Sequence, residues 1–124
     1  MDIYQQRSKC LNDLHNLLIE EVDKECASHD KTYSAPFKKM LERIIERFIE
    51  ENEMKQLFGQ SSMSVIVKVI RSTKVEGSYT IFVLVGNGIF YEKINHDGIT
   101  HETTTENASS RSVEDKPIPI PTKK

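Results

Sequence analysis

Apolar residues in the first half of the chain recur every three or four positions; in the second half they alternate or run together. The first pattern belongs to helices packed by one face, the second to strands. From Asp2 to Ala27, the residues Leu11, Leu14, Leu18, Val22 and Cys26 share one helical face, with Glu20, Glu21, Lys24 and Glu25 mostly on the other. Ser28 to Thr32 interrupts this period. Ser34 then offers a side-chain oxygen to cap a second helix, and Pro36 fits a first turn, where no backbone N–H is needed. Phe37, Met40, Leu41, Ile44, Ile45, Phe48 and Ile49 form its apolar stripe, and Glu42, Arg43, Glu46, Arg47, Glu50 and Glu51 its polar side. Leu57 and Phe58 extend the stripe to Gly59, a natural helix stop.

The period changes at Met63. Val65, Val67 and Val69 fall on one side of a strand, and Ile66, Lys68 and Ile70 on the other. Both sides are largely apolar, which predicts an inner strand covered on both faces. Glu76-Gly77 marks a turn, and Tyr79 to Val85 is a second β-branched and aromatic run. Gly86-Asn87-Gly88 predicts a hairpin, because glycine and asparagine adopt positive φ cheaply. Ile89 to Ile94 follows as a third strand. His96-Asp97-Gly98 is a second hairpin signal, and Ile99 to Thr104 a polar fourth strand at an edge. The expected fold is α+β: two N-terminal helices packed on one face of a four-stranded antiparallel meander. It forms one domain over residues 1–104, followed by a disordered tail over 105–124. In that tail, Pro117, Pro119 and Pro121 alternate with Ile118 and Ile120, an extended pattern that presents two apolar groups to a groove on a partner.

Composition narrows the function. The 124 residues carry 17 Lys plus Arg and 19 Asp plus Glu, a net charge of −2. Such a balance lacks the basic surface of a nucleic-acid binder, and no apolar run approaches the roughly 20 residues of a membrane span, so neither partner is expected. The N-terminus is polar and reads as no secretory signal. Two cysteines make no disulfide framework, and the expected setting is a reducing cytoplasm.

Candidate chemistry is sparse. Cys10, His15, Cys26 and His29 are metal-type residues, but Cys10 and His15 stand on different sides of one helix and do not converge. His96, Asp97, His101 and Glu102 surround the second hairpin and read as a polar turn leading into an exposed edge. No nucleophile elbow or phosphate loop is spelled. Asn107-Ala108-Ser109 spells a glycosylation sequon by chance. No catalytic, cofactor or metal residue is therefore assigned, and no enzyme is expected. The architecture itself is more informative. Val65–Ile70 and Tyr79–Val85 are apolar on both sides, yet two helices cover only one. Either a partner covers the other side, or the sheet curls into a cone around a ligand, as in nuclear-transport-factor-like folds. A small regulatory or inhibitory protein would present the same kind of binding surface.

Several local features resemble the Tctex-type dynein light chains, which also order two helices before four antiparallel strands. Tyr33 stands before the second helix as an aromatic does there, and Met40 where the family has Trp. Ile44-Ile45-Glu46 with Ile49, and Ser64-Val65-Ile66-Val67-Lys68-Val69-Ile70-Arg71, look like the family's second helix and first strand. The similarity covers roughly residues 11 to 85. Arg71 to Gly77 replaces the family's Gly-rich turn, and its Trp-Asp is absent around Val83-Leu84-Val85. The resemblance implies a cytoplasmic, cytoskeleton-associated homodimer, an adaptor in a microtubule motor complex. Its partners would be a dynein intermediate chain or cargo, bound as an extended segment by β-augmentation. Tyr79, Ile81, Phe82 and Val83 are the expected partner-binding residues.

Overall fold

The computed structural model describes residues 2–28, 35–75, 77–96 and 101–106. Helix α1 spans Ile3–Ser28. Its start is fixed by a reciprocal cap. The Gln5 backbone N–H donates to Asp2 Oδ1 at 2.8 Å, and the Asp2 N–H donates to Gln5 Oε1 at 3.2 Å. Two donors left over at the helix N-terminus are thereby satisfied. Cys10, Leu11, Leu14, Leu18 and Val22 are buried, so the apolar period does select the packed face.

Helix α2, Ala35–Glu51, buries Phe37, Leu41, Ile45, Phe48 and Ile49. The sequence pattern continues to Phe58, but the helix does not. Glu53 adopts a left-handed conformation (φ 51°), and a separate turn, α3, spans Met54–Leu57. The Asn52 side-chain amide donates to the Phe48 carbonyl at 3.0 Å. The Asn52 backbone N–H donates to the same carbonyl at 3.0 Å, so backbone and side chain together close the helix end. The break turns Met54 fully inward. Arg7 ties α3 to α1: its Nε donates to the Leu57 carbonyl at 3.0 Å, and its guanidinium carbon lies 5.4 Å from the Phe58 ring centre.

Strands β1 (Val65–Arg71), β2 (Tyr79–Val85), β3 (Phe90–His96) and β4 (His101–Glu106) form one antiparallel sheet in the order β1-β2-β3-β4. The α+β meander is as the periodicity implied. The fourth strand runs two residues beyond the expected Thr104. The Ser34 cap, Tyr33, the turn at Asp97-Gly98, Ile99 and the tail from Asn107 lie outside the described residues.

Both described turns have chemical causes. Ser72 Oγ accepts the Lys74 and Val75 N–H groups at 3.1 and 3.0 Å, starting the reversal that Gly77 completes at φ 85°. Between β2 and β3, Gly86, Asn87 and Gly88 all take positive φ, at 56°, 40° and 95°. A Cβ on Gly86 would lie 3.2 Å from Ile89 Cδ1 and 3.3 Å from Met63 Cγ, so the turn needs glycine twice over.

The register sorts the sheet into two faces. Val67, Tyr79, Ile81, Val83, Val85, Phe90 and Ile94 join the helix residues in a single core. Helix α2 lies against β1. Helix α1 reaches β3 and β4, where His15 meets Glu92 and Thr105. Each fully buried large side chain contributes about 1.5–3 kcal/mol over its exposed state.

Candidate functional site

Among the described residues, the face turned away from the helices holds half-buried and exposed side chains. Across it, Ile66, Leu84 and Tyr91 are in register, as are Lys68, Phe82, Lys93 and Thr104, and then Ile70, Thr80, Asn95 and Glu102. Ile66 is 54% exposed and Ile70 46% exposed. β1 was expected to be an inner strand. It is an edge strand with one open face, because two helices bury only the side they touch. The outer edge of β1 has no strand beside it among the described residues. The strand is seven residues long and contains no proline or glycine. Unpaired backbone groups along such an edge are ready to accept another strand.

The face is polar at its centre and at one end. Lys93 Nζ lies 5.9 Å from the Phe82 ring centre, within cation–π reach. Thr80 Oγ1 donates to Asn95 Oδ1 at 2.9 Å.

Of the four residues expected to bind a partner, Tyr79, Ile81 and Val83 are buried in the helix-facing core. Phe82 alone is on the open face, half-buried. Strand β2 is also hydrogen-bonded on both sides, to β1 and to β3. A segment cannot add to it without displacing a neighbour. The apolar run at Tyr79–Val85 signalled a central strand, and central strands have no edge to offer.

A second constellation sits on the buried face. Glu92 is fully buried, and its Oε2 lies 2.5 Å from His15 Nδ1. Thr105 Oγ1 lies 3.1 Å from the same ring nitrogen. Neither carboxyl oxygen receives a directed hydrogen bond among the described residues. Burial drives the Glu92 carboxyl toward its neutral form and pushes its pKa up to about 8, while the Thr105 hydroxyl pulls slightly the other way. Burial also lowers the His15 pKa. Both directions favour the neutral forms of the two groups.

This trio does not form a nucleophilic relay. In such a relay the acid engages one imidazole nitrogen and the hydroxyl the other. Here Glu92 and Thr105 both face Nδ1. The arrangement pins α1 to β3 and β4. The sequence did carry a signal for it. Phe90, Ile94 and His96 set an inward face two residues apart, and Glu92 falls on that face.

The metal-type residues and the polar residues around the second hairpin are described only in part, and the register sets His96 opposite His101. Cys10 is buried, and burial first, then Asp13, push its thiol pKa up to about 11, the opposite of a ligating thiolate. His15 is turned to Glu92. His96 is buried, with its ring centre 5.0 Å from that of Tyr79, whereas Glu102 is exposed. His29, Asp97 and the side chains of Cys26 and His101 lie outside the described residues. Among those described, no group of three or more His, Cys, Asp or Glu side chains is placed to hold a metal ion. Among the described residues, no helix is long and apolar enough to cross a membrane. Comparison with family models, with curated proteins and with solved structures found no match to this chain.

Proposed function

We propose that this chain is a non-enzymatic interaction module that receives an extended segment of a partner protein along the edge of β1 that no described strand occupies. One observation carries the reading. β1 is an unbroken seven-residue edge strand whose open side alternates Ile66, Lys68 and Ile70. Backbone pairing along that edge supplies affinity, and the alternating side chains supply selectivity. The helix–helix–four-strand order is in keeping with the Tctex-type light chains. The role we propose from that resemblance is a homodimeric adaptor in a cytoplasmic dynein-type motor complex, binding an intermediate chain or cargo.

Amide chemical-shift mapping tests it. Overlapping peptides spanning a dynein intermediate chain are titrated into the labelled full chain. The expected result is slowed exchange and shifted amides over residues 65–71. Shifts confined to the helices, or saturable binding by none of the peptides, would sink the motor-adaptor reading.

A further inference from the structure

The open side of β1, β2 and β3 holds nine residues: Ile66, Lys68, Ile70, Thr80, Phe82, Leu84, Tyr91, Lys93 and Asn95. Two are lysines and none is acidic. The described acidic side chain on this side is Glu102, on the far strand β4. The edge that accepts a strand is thus the positive end of the face, although the whole chain is slightly acidic.

Lys68 is the middle residue of β1, with Ile66 and Ile70 on the same side two positions away. A strand laid beside β1 places one side chain directly opposite each of these three. Directly opposed side chains sit about 5 Å apart at Cβ and interact by charge and shape. A like charge opposite Lys68 is unfavourable, an acid is favourable, and aliphatic groups suit Ile66 and Ile70.

This argues against a second copy as occupant in the central register. Two β1 strands paired about their midpoints would set Lys68 directly opposite Lys68, a like-charge pair that is unfavourable.

We infer that the β1 edge selects a segment of another protein whose outward side chains read aliphatic, acidic, aliphatic, with the acid opposite Lys68. On its other side the segment runs beside Val65, Val67 and Val69 and takes small β-branched residues there. The inference rests on strand addition at β1, and it adds the chemistry of the partner.

The probe is the capped peptide Ser-Leu-Val-Glu-Val-Leu-Ser. It reads the same in both directions, so strand orientation need not be assumed. Its control carries Lys in place of Glu. Anisotropy titrations against the full chain are expected to show the Glu peptide binding at least tenfold more tightly than the Lys peptide, with the gap narrowing in high salt. In Lys68→Glu the order inverts, and the Lys peptide gains what the Glu peptide loses. Lys68→Gln abolishes the discrimination and keeps weak binding to both. Circular dichroism of each variant, unchanged from the parent, confirms that the exposed site alone was altered.

Equal affinity for both peptides, unaltered by the Lys68 variants, would overturn the acidic preference and leave strand addition standing. Binding of neither peptide would overturn both. A doubling of mass with slowed amide exchange over residues 65–71, and neither peptide bound, would assign the edge to a second copy.

Discussion

The two sides of this sheet are built from similar residues and have opposite fates. Ile81 and Ile94 are fully buried, whereas Ile66 and Ile70 stand about half exposed. Residue type does not separate them; register does. In a strand, alternate positions point to opposite faces, and one pair of helices covers only one. The open side is therefore where apolar residues contribute little to folding. On the buried side even the acid, Glu92, is drawn into the core by its place in the alternation.

Core truncation separates the faces most sharply. Leu14→Ala or Ile81→Ala removes a fully buried side chain and is expected to lower unfolding free energy by about 2–4 kcal/mol. Ile66→Ala should cost under about 1 kcal/mol, since half of that side chain already meets water. Urea unfolding of the three variants measures the gap. Equal losses would mean that the outer side is covered in solution.

Next in size is the pH response of the buried acid. An unfolded Glu92 titrates near 4.5 and the folded one near 8, so the folded chain holds a proton that the unfolded chain has released. Stability then falls as pH rises through that window. Burial of His15 works oppositely below 6.5, because there the unfolded ring takes up a proton that the folded one resists. Between pH 6.5 and 8 the Glu92 contribution alone, one proton at about 1.4 kcal/mol per pH unit, predicts a loss of about 2 kcal/mol. Glu92→Gln has no proton to lose and should flatten that fall. An unchanged pH slope in the variant would remove Glu92 as its source.

The smallest effect concerns the hairpin that sets the alternation. Gly86→Ala strains a positive φ and presses on Ile89 and Met63, for an expected loss of about 1–2 kcal/mol. Gly77→Ala shares the positive φ but meets nothing within 4 Å, and should cost less. Equal melting temperatures for the two variants would show that crowding at Met63 adds nothing.

Much of the fold is legible in the sequence because local signals agree. Leu11, Leu14 and Leu18 keep helical period, and the glycines around Asn87 turn the chain where strand period resumes. Three features are not legible. The break at Glu53 is set by Met54 finding the core, which no pattern in Asn52-Glu53 announces. The edge position of β1 is hidden because Ile66 and Ile70 look like core residues until the helices are counted. The candidate site shifts for the same reason: the most apolar strand, β2, attracts attention, while the accessible edge belongs to its plainer neighbour.

The meander order has a kinetic consequence. Every strand pairs with its neighbour in sequence, so no strand must search past an intervening element to find its partner. Closing short loops is entropically cheap, and folds rich in local contacts reach the native state quickly. The longest search falls to α1, whose His15 must find Glu92 and Thr105 at the other end of the chain. A nascent chain can therefore dock its first helix on α2 and α3 early, but that helix meets β3 and β4 only when almost the last strand has emerged.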